Sequence, residues 1–322
     1  MTNTKAPKIA VISGGVGAAR YLRGLIDVTD ASQITAIVNV ADDMVLNGLS
    51  ISPDIDTVTY TLADAIDPER GWGLRDETWS AMNALARYGK RNWFSLGDSD
   101  LATHMERTAR LDEGSTLTEI TADIARAWDV AVSVLPVTND RVSTFVTRAD
   151  TGEEISFQEY FVGLQHNEAI SSVRFDNIEH TTATPEAVAA ITNADAVFIA
   201  PSNPIVSIAP VLGVPGILEA LDARRGPSIA ISPIVGGVAL KGPAAHMLSQ
   251  LGHDADSTGV AALWSTIIDV LLIDDVDAHR SAAVASLGVT PYVTDTIMAT
   301  PERRERLART ALTAANLRGM TS

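Results

Sequence analysis

The sequence predicts an α/β fold, specifically a Rossmann-like, doubly wound and mainly parallel sheet that carries a mostly helical insertion. Short apolar runs rich in β-branched residues recur along the chain, and helical patterns lie between the later ones. The first apolar run breaks into glycines directly before a helical pattern. Strands without polar alternation are typical of a parallel sheet that helices cover on both faces. These three observations together favour the doubly wound architecture.

The predicted strands of this sheet occur in the first and last thirds of the chain. They span residues 9–12, 35–39, 196–200, 228–231 and 267–273. Periodicity near 3.6 predicts helices over residues 185–192, 214–224 and 301–316. The last helix is amphipathic, and we expect its arginines to form a solvated face.

The segment between the second and third of these strands is predicted to be an insertion. Residues 57–128 show helical periodicity with few strand signals, and strands are expected over 131–135, 142–147 and 153–157, the last two as a hairpin. We interpret residues 1–322 as a single α/β domain, within which about 57–170 form a cap over the carboxyl edge of the sheet.

Composition limits the classes of function. The 322 residues include no cysteine, so disulfides, thiolate zinc sites and cysteine nucleophiles are excluded, and any metal must bind oxygen or imidazole ligands. The formal net charge of −16 argues against a nucleic-acid-binding surface, which needs a basic stripe. No apolar run approaches the roughly 18 residues of a membrane span, so we expect a cytoplasmic protein.

The glycine-rich turn after the first strand is a candidate phosphate-binding site. Gly14, Gly15 and Gly17 lack a Cβ, which permits a tight turn and a close approach of ligand to backbone. The N-terminus of the following helix favours negative charge. Because the spacing matches neither a full G-x-G-x-x-G nor a P-loop, an ordinary strand-to-helix turn is the alternative interpretation.

Four carboxylates gather near the end of the second strand. Asp42 and Asp43 follow the strand directly, and Asp54 and Asp56 come shortly afterwards. Ligands of open α/β sheets bind at the carboxyl ends of strands, and such hard oxygens suit Mg²⁺ that bridges substrate phosphates. Two alternatives stay open: Asp54 or Asp56 caps a helix that begins near Thr57, or an aspartate holds a ribose hydroxyl in a dehydrogenase-like site.

Several other loops carry polar or aromatic groups suited to ligand binding. Ser202 and Asn203 follow the strand at 196–200 and offer a hydroxyl and an amide. The other candidates are the arginine–tryptophan loop at 70–79, the acidic turn and His104 at 96–104, and the glycine loop at 232–237. Each also has a structural interpretation as ordinary turn chemistry, helix capping or core packing.

These motifs in this order resemble the 2-phospho-L-lactate transferases of coenzyme F-420 biosynthesis, most closely the bacterial phosphoenolpyruvate transferase branch. The resemblance runs from residue 9 to about 300, and its motifs are Ser13–Gly17, Asn39–Asp43, Ser52–Thr57, Gly71–Gly73, Leu96–His104, Ala200–Pro204 and Ser232–Gly236. It implies a Rossmann-like fold, a homodimer and magnesium. One motif departs from the family: archaeal members carry a lysine where this chain has Ser95, so a contact to the deazaflavin is lost or replaced.

The resemblance also implies a reaction and roles for individual residues. Members of this family transfer a phosphorylated three-carbon acid from its guanosine diphosphate-activated form to the ribityl hydroxyl of the deazaflavin Fo, releasing GMP. The cap would then cover the acceptor side. Expected roles are metal binding by Asp42 and Asp54, with Asp43 a weaker choice, catalysis by Asp54 and Asp56, acceptor binding by Asp56, and nucleotide binding by Gly14, Gly15, Gly17, Ser202 and Asn203. The rival interpretation is a non-catalytic, nucleotide-sugar-binding regulator on the same fold.

Overall fold

Strands and helices alternate along much of the chain. The computed structural model describes residues 6–89, 93–239 and 242–317. The strands in these ranges are β1 (Ile9–Ser13), β2 (Ile34–Val38), β3 (Met44–Leu46), β4 (Leu49–Ile51), β5 (Ser133–Pro136), β6 (Ser143–Arg148), β7 (Glu154–Ser156), β8 (Ile170–Asp176), β9 (Ala196–Ile199), β10 (Ser228–Ile231), β11 (Ile234–Val235), β12 (Val238–Ala239), β13 (Val270–Ile273) and β14 (Thr290–Val293).

The α-helices flank and connect these strands. Those in the described ranges are α1 (Gly15–Ile26), α2 (Pro53–Leu62), α3 (Ser80–Ala86), α4 (Asp100–Asp112), α5 (Leu117–Ala127), α6 (Pro185–Asn193), α7 (Ala209–Gly213), α8 (Ile217–Asp222), α9 (Ala244–Gln250), α10 (Ser257–Trp264), α11 (Ser281–Ser286) and α12 (Pro301–Ala314). None of these helices combines the length and apolarity needed to cross a lipid bilayer.

The central sheet has the order β5-β2-β1-β9-β10-β13-β14, and all of its strand pairs in the described residues are parallel. Every residue of β1, β9 and β10 is buried, as expected for strands that helices cover on both faces. Strand order reverses between β1 and β9, and ligands of doubly wound sheets bind at such a switch point. The predicted α/β fold class is confirmed.

Two predicted elements begin three residues later than the sequence pattern indicated. The strand predicted from residue 267 begins at Val270, because Ile267 and Ile268 turn back to donate hydrogen bonds to the carbonyl of Trp264. The helix predicted from residue 214 begins at Ile217, after Gly216 with a φ of 101°. Both turns contain buried apolar residues. The hydrophobic pattern therefore continues beyond the strand and the helix, and the predicted elements were too long at their N-terminal ends.

The segment 57–170 contains a strand of the central sheet. β5 pairs in parallel with β2 and so belongs to the central sheet. The segment therefore has two parts outside that sheet: α3, α4 and α5 before β5, and β6 and β7 after it. The predicted hairpin is present, because β6 pairs antiparallel with β7, and β8 joins it to form a small sheet. The β3–β4 and β11–β12 hairpins, β8 and β14 were not predicted, since they are short or, in the case of β8, mostly exposed.

The starts of α3 and α4 cap each other through two acidic side chains. Asp98, just before α4, accepts hydrogen bonds from the N–H groups of Ser80 and Ala81 in α3. Glu77, just before α3, accepts from the N–H groups of Ser99 and Asp100. The acidic turn before α4 therefore has a structural role at Asp98, although the helix it caps is α3.

We expect the Asp98 cap to make stability depend on pH at the acidic end. Hydrogen bonds from Thr78 and from the N–H groups of Ala81 and Ser80 lower the pKa of Asp98 from 3.8 to about 2. A lowered carboxyl pKa contributes stability above the unfolded value, which is lost as pH falls through the folded value. Urea midpoints of wild type and Asp98→Asn should therefore differ most above pH 4 and converge toward pH 2. A difference independent of pH would contradict this role.

Candidate functional site

Three loops meet where the strand order reverses. The glycine turn follows β1, Asn39 follows β2, and Ser202 follows β9. The Ser202 hydroxyl donates a 2.6 Å hydrogen bond to the carbonyl oxygen of Gly14, which joins two of the loops across the switch point. The carboxyl ends of parallel strands thus bring these three candidate loops to one edge of the sheet.

The glycine turn lies directly against the carboxylate of Asp54. Gly15 has a φ of +68°, and a Cβ at this position would lie 3.4 Å from Asp54 Oδ1. A Cβ on Gly14 would lie 3.1 Å from Asp54 Oδ2 and 2.8 Å from Cβ of Ser207. Glycine is required at both positions, for conformation at Gly15 and for space at Gly14.

Gly17 allows α1 to approach the loop after β9, so its substitution should destabilise the protein. A Cβ at Gly17 would lie 2.0 Å from the carbonyl oxygen of Pro201. Gly→Ala inside a helix ordinarily stabilises, whereas Gly17→Ala should cost about 1–3 kcal/mol through overpacking, measured by urea denaturation. Gly163→Ala is the matched control, because its nearest neighbours would be 3.6 Å or more away. Equal effects of the two variants would contradict the close approach.

Asp54 is a buried carboxyl on the first turn of α2. Its Oδ2 accepts a 2.9 Å hydrogen bond from the Asn39 side-chain amide, and Asn39 in turn accepts one from the N–H of Ala41. Burial raises the pKa of Asp54 to about 6, against the opposing effect of hydrogen bonds from Asn39 and the Gly15 backbone. Asp54 is thus held at the turn without a cationic hydrogen-bond partner among the described residues.

Asp42 and Asp43 add further negative charge beside Asp54. Burial, followed by the charges of Asp54 and Asp43, raises the pKa of Asp42 well above its ordinary value. Burial also raises the pKa of Asp43, although the Ser52 hydroxyl donates a 2.6 Å hydrogen bond to it. Oδ1 of Asp42 and Oδ1 of Asp43 are both buried and accept no hydrogen bond from the described residues. Unpaired buried oxygens of this kind favour a cation as partner.

The donor set suits a magnesium ion that keeps other ligands. No three His, Asp or Glu side chains of the described residues converge closely enough to form a complete cage. Mg²⁺ is usually bound by one or two carboxylates together with waters and substrate phosphates. Asp54 lies against the glycine turn and Asp42 is close enough for the charge of Asp54 to raise its pKa, and the role of both as metal ligands stays a prediction.

The helix-capping alternative for Asp54 and Asp56 does not describe this structure. α2 begins at Pro53 rather than near Thr57, and Ser52 occupies the N-cap without a side-chain capping bond. The Asp54 carboxylate turns toward the glycine turn, as described above. The Asp56 carboxylate instead pairs with Arg107 of α4. Both aspartates are therefore turned toward neighbouring elements.

Asp56 is buried against α4 in a pair that the sequence did not reveal. Arg107 contacts both carboxylate oxygens, with Nη1 3.1 Å from Oδ2 and Nη2 bonded to Oδ1. His104 Nδ1 lies 3.7 Å from the same Oδ2. Burial raises the pKa of Asp56, and the neighbouring Arg107 and His104 oppose the rise. Spacing along α4 was the available signal, because His104 and Arg107 are three residues apart on a predicted helix.

The polar side chains of the loop after β9 bond to their own surroundings. Ser202 donates to Gly14, and Asn203 Oδ1 accepts from the N–H groups of Ile205 and Val206 at 2.9 and 3.4 Å. Both residues thus shape the loop beside the glycine turn. Nucleotide binding by them stays a prediction.

The remaining candidate loops are also held by internal contacts. Arg70 lies over the rings of Trp72 and Trp79, 5.4 and 5.3 Å from their centroids, and forms an ion pair with Asp67. In the loop at 232–237 the N–H of Gly236 donates a 2.9 Å hydrogen bond to the buried Asp277. Ser95, which precedes the acidic turn, is exposed.

The fold and the geometry together define a doubly wound α/β protein with buried aspartates beside a glycine turn at the switch point, which is a candidate ligand site. Comparison with known proteins gives its family. The chain belongs to the 2-phospho-L-lactate transferase CofD family, whose model matches residues 9–312.

Similar proteins support this membership. The chain is 40% identical to a phosphoenolpyruvate transferase of Mycobacterium ulcerans (strain Agy99), over 96% of this chain and 99% of that one. It is equally identical to a phosphoenolpyruvate transferase of Kitasatospora aureofaciens, over 96% and 98% of the two chains. A crystal structure of a UPF0052 family member from Bacillus halodurans matches with a TM-score of 0.65 at 18% identity, covering 96% of this chain and 99% of that one. That structure supports the fold.

Proposed function

We propose that this transferase passes a phosphorylated three-carbon acid from its guanosine diphosphate-activated form to the ribityl hydroxyl of Fo, releasing GMP, in coenzyme F-420 biosynthesis. Family membership supports the class of reaction. The contact between Asp54 and the glycine turn carries the proposal, because it joins a candidate diphosphate seat to candidate metal ligands. The names of the relatives favour phosphoenolpyruvate over 2-phospho-L-lactate as the acid.

The donor would bind at the N-terminus of α1. The glycines at positions 14 and 15 let the turn pass close to Asp54, and the helix terminus favours the negative charge of a diphosphate. Asp42 and Asp54 would hold Mg²⁺ against the diphosphate oxygens. The ion would neutralise charge on the diphosphate oxygens during the transfer. A net acidic chain needs such local compensation to bind an anionic donor.

The acceptor would approach from the side of Asp56. A cleft of about 210 Å³ is lined by Asp43, Ser52 and Arg107, the last of which pairs with Asp56. In the transfer, the ribityl oxygen forms a bond to the phosphorus that carries the three-carbon acid, and the bond from this phosphorus to the oxygen of GMP breaks in line. Asp56 is our choice to receive the hydroxyl proton.

Product analysis tests the proposal directly. Purified protein, Fo, Mg²⁺ and guanosine diphosphate activated with either acid should yield GMP and a phosphodiester of Fo, identified by mass spectrometry. Omission of Mg²⁺ or addition of EDTA should abolish product. If the protein binds nucleotide but forms no product from either activated acid in the presence of Mg²⁺, the non-catalytic regulator is favoured instead.

The homodimer implied by the family also belongs to this proposal. Sedimentation equilibrium should give about twice the chain mass of 34.1 kDa. A single-chain mass at assay concentration would contradict it.

A further inference from the structure

A polar seam joins α2 to α4 at the edge of the candidate site. α2 contributes Asp56 and Tyr60, one turn apart, and α4 contributes Asp100, His104 and Arg107 along one face. The side chains of His104 and Arg107 are each 1% exposed, and that of Asp56 is 7% exposed. A charged network therefore occupies a position where two helices would ordinarily pack apolar side chains.

The seam is continuous from Asp56 to Tyr60. His104 lies between two carboxylates, with Nδ1 3.7 Å from Asp56 Oδ2 and Nε2 3.4 Å from Asp100 Oδ2. The Tyr60 hydroxyl donates a 2.7 Å hydrogen bond to Oδ1 of Asp100. His104 Nδ1 also lies 3.3 Å from Arg107 Nη1, so His104 contacts both members of the Asp56–Arg107 pair.

Arg107 controls the plane of the Asp56 carboxylate. A two-pronged pair occupies one acceptor site on each carboxylate oxygen and fixes the group in rotation. Each oxygen retains a second acceptor site that the pair does not use. Burial of the charged Asp56 and Arg107 side chains costs free energy, and apolar side chains packed in their place would stabilise the fold as well or better. The seam therefore points to a role in directing Asp56.

We propose that Arg107 is a positioning residue that, supported by His104, aims the Asp56 carboxylate at the acceptor hydroxyl. This inference rests on the proposed function. It also makes the docking of α4 on α2 a condition for catalysis, because the orientation of Asp56 is set by side chains of the other helix.

A double-mutant cycle tests the inference. Asp56→Asn should lower kcat/KM for Fo roughly 1,000-fold, the scale of a lost general base. Arg107→Met should lower it about 100-fold through misplacement of that base. If Arg107 acts through Asp56, the double variant should match Asp56→Asn within about twofold. Losses that multiply in the double variant would overturn the proposal.

Further measurements separate positioning from general instability. Arg107→Lys keeps the charge and should retain more activity than Arg107→Met, and the affinity for GDP should be unchanged in all of these variants. Arg110→Met is the matched control, because Arg110 lies one turn further along α4 and pairs with the half-exposed Asp123. Equal loss of activity in Arg110→Met and Arg107→Met would contradict a specific role.

Failure of the proposed function gives a different result. If the wild-type protein forms no phosphodiester, the transferase proposal fails, and the cycle is then evaluated from the dissociation constant for Fo. Coupling between positions 56 and 107 in that constant supports positioning without catalysis. Equal affinity for Fo in all four proteins overturns the inference.

Discussion

Replacement of Asp54 by Asn should reduce turnover by about 1,000-fold or more and leave the fold at least as stable. The variant removes a carboxylate that we assign to the metal and the diphosphate, worth several kcal/mol in the transition state. It keeps the shape of the side chain and an oxygen that can accept from Asn39. It also relieves the repulsion between the buried Asp54 and Asp42. Initial rates and thermal unfolding of the same preparations measure both effects.

The same variant makes a prediction about pH. Because burial raises the pKa of Asp54 to about 6, metal-free wild-type protein should lose stability as pH rises from about 4 to about 6. Asp54→Asn should lack this part of the pH dependence. Asp150→Asn, which neutralises an exposed carboxylate, is the matched control and should behave as wild type in rate. A strongly destabilised Asp54→Asn protein would show that this aspartate is structural.

Gly15→Val should weaken binding of GDP by roughly 100-fold. Valine disfavours a φ of +68°, and its Cβ would lie 3.4 Å from Asp54 Oδ1, where the branched methyl groups crowd the candidate diphosphate seat. Isothermal titration calorimetry with GDP and Mg²⁺ measures the loss.

Backbone strain alone must be separated from the loss of the site. Gly288→Val serves as the control, because Gly288 has a φ of +83° and nothing within 4 Å of its Cβ position. It should be destabilised without losing affinity for GDP. If both variants bind GDP as wild type does, the nucleotide lies elsewhere.

The predicted sheet followed from local patterns. β1, β2, β9 and β10 are apolar on both faces and have glycine, proline or acidic residues at their ends, so composition and length were sufficient. The β3–β4 hairpin has three-residue strands and half-exposed side chains, which leave little periodicity to detect. β5 was predicted as a strand, but membership of the central sheet depends on its pairing with β2.

The candidate site was predictable only in part. The order of strands and loops along the chain indicated that Asp54 and the glycine turn lie at the same edge of the sheet, because segments that follow parallel strands meet at the carboxyl edge. The pairing of Asp56 with Arg107, 51 positions later, depends on how α4 docks on α2. The side-chain oxygen of Asn203 caps its own loop, which its residue type did not indicate, and nucleotide binding by Asn203 stays a prediction.

The most direct test of the central claim is to locate the cation and the nucleotide together. Crystals of the protein with GDP and Mn²⁺, which replaces Mg²⁺ and scatters anomalously, should show the metal about 2.1–2.3 Å from carboxylate oxygens of Asp42 and Asp54. The same metal should contact the diphosphate above Gly14 and Gly15. Mn²⁺ bound away from both aspartates, or a diphosphate away from the glycine turn, would contradict the account.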